Sequence, residues 1–306
     1  MVVAVAAAGA DAGEEVAVAV EVRDRFGVSW RPELAAGALL NCDRVDCVEV
    51  IADDYLEADS KRVRALATLA REIPLTLHSI HLGMASTAPV ERRRVEKVAR
   101  LIEKVRPAGW SEHLAFVRAG GIEIGHLAAP PRDAATVDSK LSNLAQAARI
   151  TGMTPEIENI ATLLEPPGSE MTEEAWLRAI LAQGSSGWLL DLHNVYANSL
   201  NFHFDPRAFL AALPLGRVRT IHLAGGKWIE DRSGERRYLD DHLHATPDPV
   251  YELLSFVAER VPQPLDVILE RDGAYPQTTE WLAELDAARS AVAAGRGSGQ
   301  RELSPV

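Results

Sequence analysis

Acidic, imidazole and amide side chains come directly after an apolar run in the segment 187–196. Residues 187–190 are apolar and read as a buried strand, and Asp191, His193 and Asn194 follow within four positions. Charged and metal-binding side chains are costly to bury, so a buried strand that ends in this way usually delivers them to a site. Asp191 could instead cap the next helix. Other predicted strands end similarly, which favours a site.

Seven further segments contribute candidate site residues of the same types. In chain order these candidates are Glu49, Asp53, His78, His81, Glu112, His113, Glu156, Glu158, Asn159, His222, Asp240, His242, Glu270 and Asp272. A single histidine at a strand end is more often a packed core residue than a ligand. Several histidines and carboxylates meeting at one place are difficult to satisfy without a cation.

The mixture of ligand types narrows the choice of metal. Imidazole and carboxylate without thiolate suit iron, manganese or zinc bound at more than one position. A single tetrahedral zinc needs only three or four ligands, which is fewer than the sequence offers. Two or three ions that share bridging carboxylates are therefore expected. Iron would add oxygen chemistry, whereas zinc or manganese would indicate hydrolysis or isomerisation, and the spacing leaves this choice open.

The elements that must position these residues alternate between strands and helices. Eight strand candidates precede helical patterns, at 25–30, 46–51, 75–78, 109–114, 154–159, 187–191, 218–223 and 265–270. Such alternation predicts a parallel sheet, and eight units predict an α/β fold of the (β/α)8 TIM-barrel type, whose strand ends converge on one face. A doubly wound sheet would require a glycine fingerprint after the first strand, which is absent. Residues 117–127 are predicted to form a hairpin insertion after strand four, and residues 225–241 a mobile loop over the site.

Composition and charge limit the domain organisation, the partners and the location of the protein. We predict a loosely ordered leader over residues 1–20, one barrel domain over 21–294 and a disordered tail over 295–306. The formal net charge of -12 argues against nucleic-acid or anionic-membrane partners. Cys42 and Cys47 are too few for a disulfide scaffold, so a cytoplasmic location is expected. No apolar run approaches the about 18–20 residues of a membrane span.

Taken together, these motifs resemble the multinuclear non-haem iron-dependent oxidative enzymes (MNIO), whose fold is similar to that of xylose-isomerase-like barrels. The matching segments, in the order of that family, are GVSWR (27–31), EVIADDY (49–55), LH (77–78), SEHL (111–114), ENI (158–160), LDLHNVY (190–196), FDP (204–206), IHLAG (221–225), DDH (240–242), DPV (248–250) and ERD (270–272). Each segment alone is weakly specific, but the ordered set is specific.

The resemblance implies an oxidase that uses two or three irons and O2 to modify a ribosomally made precursor peptide, often at cysteine. Many relatives use a partner protein that delivers the peptide. The implied metal site consists of His78, His113, Glu158, Asn159, Asp191, His193, His222, Asp240, His242 and Glu270. We assign the catalytic role to Asp191, His222 and Glu270 within this set, and substrate-facing roles to Arg31, Asp53 and Asn194.

The sequence also departs from the family pattern. Gly226 stands where relatives commonly have histidine, and Ile51 and Asp53-Asp54 stand where they commonly have histidine and Glu-Asn. Loss of one ligand at Gly226 would favour two ions over three, unless His244 compensates. Two alternatives to the oxidase stay open: a zinc- or manganese-dependent sugar isomerase or phosphodiesterase on the same barrel, and a peptide-binding protein with a degenerate metal site.

Overall fold

The computed structural model describes residues 23–302 apart from 231 and 233, and its centre is a closed barrel of eight parallel strands. In chain order, the strands of the barrel and of two additional hairpins are β1 (Arg25–Ser29), β2 (Cys47–Ile51), β3 (Leu75–Ser79), β4 (Gly109–His113), β5 (Phe116–Ala119), β6 (Ile122–Ala128), β7 (Glu156–Glu158), β8 (Trp188–Asp191), β9 (Val218–Leu223), β10 (Gly226–Glu230), β11 (Arg236–Asp240) and β12 (Asp266–Leu269). The barrel order is β1-β12-β9-β8-β7-β4-β3-β2. The predicted (β/α)8 TIM barrel is confirmed.

Helices connect successive barrel strands and cover the outside of the barrel. They are α1 (Pro32–Leu40), α2 (Asp53–Leu56), α3 (Ser60–Glu72), α4 (Arg92–Val105), α5 (Ala134–Thr151), α6 (Glu173–Gln183), α7 (Leu192–Phe202), α8 (Pro206–Ala211), α9 (Asp248–Arg260) and α10 (Thr278–Glu302). Several begin at side-chain caps, such as Asp59 for α3 and the Asp133 capping box for α5. Among the described helices, none combines the length and the apolar character that crossing a membrane requires.

Two antiparallel hairpins rise from the barrel at the strand ends. The first, β5–β6, is the insertion predicted after strand four. The second, β10–β11, occupies the segment predicted as a mobile loop, so that prediction is wrong. Trp228 and Tyr238 are cross-strand partners with ring centroids 5.4 Å apart, and such aromatic pairs stabilise a two-stranded sheet. The many charged residues of this segment obscured its strand alternation.

The C-terminal helix is longer than the sequence suggested. We predicted a helix end near residue 294 and a disordered tail, but α10 continues to Glu302. A Cβ atom at Gly295 would lie 2.2 Å from the Ser255 carbonyl oxygen, so this glycine allows α10 to pack closely against α9 instead of ending the helix. The predicted leader over residues 1–20 and residues 303–306 lie outside the described part of the chain.

One buried lysine makes the stability of the barrel sensitive to pH. Lys140 of α5 is fully buried, and its Nζ forms no hydrogen bond with any described residue. Burial lowers the pKa of Lys140 to about 7, although the Glu112 carboxylate opposes the shift. The unfolded chain keeps the ordinary lysine pKa of about 10.4, so it binds more protons than the folded protein between these values. Stability should therefore rise with pH across this window.

Lys140→Met is expected to stabilise the protein at pH 7 by on the order of 2 kcal/mol, because folding then no longer has to bury a lysine without a hydrogen-bond partner and remove its proton, and an apolar side chain of similar length takes its place. The gain should shrink as the pH approaches about 10, where the unfolded chain also loses its proton. Urea unfolding across this pH range measures the effect. Exposed Lys104 provides the matched control, and Lys104→Met should change stability little at any pH. A constant difference between Lys140→Met and the wild type would contradict the assignment.

Candidate metal centre

The carboxyl ends of neighbouring barrel strands carry the predicted ligands. His78 lies near the end of β3, His113 ends β4, Glu158 ends β7 and Asp191 ends β8. The strand register places His113 beside Glu158 and Asp191 beside His222 of β9. All five are buried, because the barrel interior and the surrounding loops cover them. The parallel barrel therefore assembles at one face groups that are far apart in sequence.

The first ligand group consists of His78, His113 and Glu158. Glu158 Oε2 lies 3.3 Å from His78 Nε2 and 3.1 Å from His113 Nε2, and the two nitrogens are 3.4 Å apart. His113 Nδ1 lies 3.3 Å from the Ser79 carbonyl oxygen, which can only accept, so Nδ1 carries the proton. In the neutral ring, the lone pair on Nε2 is then free for a cation.

The second ligand group consists of Glu158, Asp191, His222 and Glu270. His222 Nδ1 lies 3.3 Å from Glu158 Oε1 and 3.2 Å from Glu270 Oε2. Glu158 belongs to both groups and offers a different oxygen to each. This is the arrangement expected of a carboxylate that bridges two ions.

Three further predicted ligands form a third group of His193, Asp240 and His242. Asp240 Oδ1 lies 2.7 Å from His193 Nδ1 and 2.8 Å from His242 Nε2. His242 Nδ1 faces the other way, 3.4 Å from Glu270 Oε2 and 3.2 Å from Asp272 Oδ2. His242 therefore connects the third group to Glu270 of the second. Asp272 was named as a strand-end candidate but not as a ligand.

Unsatisfied polar atoms in these groups indicate that the donor set suits metal ions. Buried atoms without a hydrogen-bond partner in the described chain include Glu158 Oε2, Asp191 Oδ2, His193 Nε2 and both nitrogens of His222 and of His242. Leaving so many polar atoms unpaired inside a protein is costly. Two or three divalent cations would satisfy them at once, whereas a single tetrahedral ion would not.

The pKa shifts show how strongly these groups depend on one another. Burial alone would lower the pKa of His113, but the carboxylates of Glu158 and Glu112 raise it to about 9. Burial raises the pKa of Asp191 well above its usual value, and the neighbouring Asp240 and Glu158 raise it further. Without a metal the site therefore retains protons, and metal binding would release them.

Asn159, which we predicted as a ligand, has a structural role. Its Oδ1 accepts hydrogen bonds from the Asp191 backbone N–H at 3.1 Å and from Trp188 Nε1 at 3.2 Å. Its Nδ2 donates to the Asp191 carbonyl oxygen at 2.9 Å. Because both of its polar groups are engaged, Asn159 fixes the end of β8 and does not join the ligand groups.

The predicted substrate-facing residues have different surroundings. Arg31 lines the cavity over the ligand groups and forms an ion pair with Asp272. Asn194 lines the same cavity, and its buried Oδ1 has no partner among the described residues. Asp53 does not line this cavity; it accepts from the Ile80 N–H at 2.8 Å and lies 2.9 Å from His81 Nδ1. Asp53 thus fixes the loop after β3.

The structure also clarifies the departure at Gly226. A Cβ atom there would lie 2.2 Å from the Leu239 carbonyl oxygen, so the β10–β11 hairpin has no room for a side chain in this register. His244 does not compensate, since it is half-exposed and pairs with Asp241 at 2.9 Å instead of joining a ligand group.

The cavity over the ligand groups has a volume of about 780 Å³, and its lining has a polar part and an apolar part. Its floor is polar and includes the first ligand group, His242 and Glu270. Another part of its lining, here called the apolar wall, comes from the end of β6 and the segments that follow β6 and β7. The apolar residues of this wall are Leu127, Ala128, Ala129, Ile160, Ala161, Leu163 and Leu164. Sequence analysis missed this wall because residues 160–167 have no regular periodicity.

Comparison with known sequences gives one family and several relatives. The sequence model of the RiPP precursor modification enzymes MbnB/TglH/ChrH matches residues 25–293. A UPF0276 protein of Caulobacter vibrioides is 30% identical over 275 residues, which cover 89% of this chain and 96% of the relative. A UPF0276 protein of Streptomyces avermitilis is 32% identical over 277 residues, or 87% of this chain. The match spans only 54% of the Streptomyces protein's length.

Solved structures with the same fold are xylose-isomerase-like barrels. A D-psicose 3-epimerase from Clostridium cellulolyticum superposes with a TM-score of 0.56 at 7% identity and covers 92% of this chain and 100% of its own. A xylose isomerase domain protein from Planctomyces limnophilus gives a TM-score of 0.57 at 14% identity, with 92% and 99% covered. At such low identity these structures establish the fold alone.

Proposed function

Since the chain belongs to the family of RiPP precursor modification enzymes MbnB/TglH/ChrH, we propose that it is an iron-dependent oxidase that uses O2 to modify a ribosomally made precursor peptide, at cysteine. The single observation that carries the proposal is the set of ligand groups joined through Glu158, Glu270 and His242 at the mouth of the barrel. Family membership supports the peptide substrate. Iron, O2 and cysteine are our own extension.

The donor set supports iron in two or three positions. The first group would hold one ion through His78, His113 and Glu158, and the second would hold another through Glu158, Asp191, His222 and Glu270. The third group, with His193, Asp240 and His242, would hold a further ion where three are bound. Imidazole and carboxylate ligands without thiolate suit non-haem iron. Bound iron would supply electron transfer to O2 and keep a substrate thiol deprotonated at neutral pH.

The protein's own residues would position the peptide and protect the site. Asp191, His222 and Glu270 are buried, Glu270 also lines the cavity, and the three would bind the metal that contacts substrate. Arg31 is held by Asp272 at the cavity edge, where its guanidinium can contact a peptide carbonyl. Asn194 lines the same cavity, where it would contact the peptide. The apolar wall would pack against the side chains next to the modified residue and exclude water.

The apolar wall favours a peptide over a sugar. A sugar presents hydroxyl groups on all sides and requires hydrogen-bonding partners around it. Leu127, Leu163 and Leu164 offer none from their side chains, and the polar residues of the same segments are His126, Thr162 and Glu165. The zinc or manganese isomerase therefore remains the second candidate, supported only by the shared ligand types. A partner protein that delivers the peptide, and a cytoplasmic setting in which Cys42 and Cys47 stay as free thiols, belong to the same proposal.

Oxygen uptake by the metal-free protein reconstituted with Fe²⁺, Mn²⁺ or Zn²⁺ tests the proposal. The precursor peptide is sought among short reading frames beside the gene, and peptide mass is measured after incubation with each metal form. We expect O2 consumption and a change in peptide mass with Fe²⁺ only, and a Cys→Ser peptide should stay unmodified. Peptide modification that does not depend on O2, or sugar isomerisation with Mn²⁺ or Zn²⁺, would contradict it.

A further inference from the structure

Glu49 of β2 is a buried carboxylate whose neighbours give it no structural role. Its side chain is 0% exposed, and neither oxygen forms a hydrogen bond with any described residue. No lysine or arginine of the described chain pairs with it, and its closest charged contact is His222, whose Nε2 lies 2.9 Å from Glu49 Oε1. The angles at this contact fall outside those of a hydrogen bond. Such a carboxylate costs stability, which indicates that it is kept for another purpose.

The two nitrogens of His222 face different surroundings. Nδ1 faces Glu158 and Glu270 of the second ligand group, at 3.3 and 3.2 Å, whereas Nε2 faces Glu49. A neutral imidazole carries one proton, and the partner of one nitrogen determines which nitrogen stays free. A proton on Nε2 lies next to the Glu49 carboxylate, whose negative charge attracts it even though the contact is not aligned as a hydrogen bond. The opposite tautomer would place the Nε2 lone pair against Glu49 and a proton among the ligands.

We propose that Glu49 is a positioning residue that keeps the proton of His222 on Nε2, so that His222 binds metal through Nδ1. This inference rests on the metal centre of the proposed function. It also distinguishes His222 from His78 and His113, which turn Nε2 toward Glu158 and direct Nδ1 to Ser111 Oγ or the Ser79 carbonyl oxygen. Carboxylates that orient a metal-binding histidine in this way are a common second layer of metal sites.

Glu49→Gln tests the role with Zn²⁺ as a diamagnetic probe. Glutamine removes the negative charge that attracts the Nε2 proton, and its amide can donate to Nε2 as well as accept from it, so the tautomer with the proton on Nε2 is no longer favoured. We expect the Zn²⁺ affinity, measured by chelator competition, to fall by about 10–100-fold, as is typical for loss of an outer partner of a metal ligand. Circular dichroism of the metal-free variant should match that of the wild type. Proton–nitrogen correlation spectra of 15N-histidine-labelled wild-type protein loaded with Zn²⁺ should show His222 bound through Nδ1 and protonated at Nε2.

Asp266→Asn is the matched control, since Asp266 is a carboxylate on a barrel strand that pairs with Arg25 away from the ligand groups. It should lower stability without changing Zn²⁺ affinity. Unchanged affinity in Glu49→Gln, or His222 bound through Nε2 in the wild type, would overturn the inference and leave the metal centre intact. Wild-type protein that binds no Zn²⁺ would instead overturn the metal centre as well. The wild-type spectrum decides the question even if Glu49→Gln does not fold.

Discussion

Glu158→Gln is expected to remove more bound metal than any other single substitution at the site. Glu158 contributes one oxygen to the group with His78 and His113 and the other to the group with His222, so its loss weakens two ion positions together. The decrease in metal affinity should exceed the about 10–100-fold that loss of an outer partner causes. Oxygen uptake should fall to background. Elemental analysis and an oxygen electrode measure the two effects.

Glu156→Gln is the matched control for this prediction. Glu156 lies two residues earlier on the same strand, so its side chain faces the same side of β7, but it belongs to none of the ligand groups. Burial raises the pKa of Glu156 to about 7, so a neutral amide is a close substitute near neutral pH. This variant should keep its metal. Equal metal loss in Glu156→Gln and Glu158→Gln would show that the bridging role is wrong.

Asp191 is expected to show two separable roles. Its Oδ1 accepts from the Asn194 N–H at 2.6 Å and caps α7, and its Oδ2 is buried without a partner in the described chain. Asparagine caps helices about as well as aspartate, whereas alanine in place of a cap costs about 1 kcal/mol. Asp191→Asn should therefore keep the stability of the metal-free protein but lose metal and oxygen uptake. Asp191→Ala should lower the stability of the metal-free protein and also lose metal and oxygen uptake.

Urea unfolding of the metal-free variants, paired with elemental analysis of the reconstituted ones, separates the two roles. Asp205, which caps α8 far from the ligand groups, provides the control. Asp205→Ala should lose about 1 kcal/mol of stability and keep its metal. If Asp191→Asn bound as much metal as the wild type, the capping role would account for Asp191 and its place in the second ligand group would be wrong.

The barrel and most ligands were predictable because each depends on local pattern and one general rule. Apolar strands that end in His, Asp or Glu can be recognised singly, and a parallel barrel brings their ends together whatever the sequence separation. The structure groups His78 with Glu158, and Asp191 with His222, as the strand ends indicated. The initial alternative that Asp191 caps a helix is also true, since one carboxylate oxygen caps α7 and the other remains free.

Features that depend on exact register or on tertiary packing were not predictable. Asn159 has the right residue type and position for a ligand, but the alignment of β7 with β8 directs its amide to Asp191 and Trp188. Taken alone, Gly295 predicts the end of a helix, yet it allows close contact with α9. The role of Glu49 depends on which nitrogen of His222 faces it, and only the assembled barrel determines that.

Metal content tests most directly whether the mouth of the barrel is a multinuclear iron site. Elemental analysis of wild-type protein purified without oxygen measures it. We expect two or three irons per chain. One ion or none per chain would contradict this expectation. Zinc or manganese that Fe²⁺ does not displace, in a protein that does not consume O2, would contradict it as well.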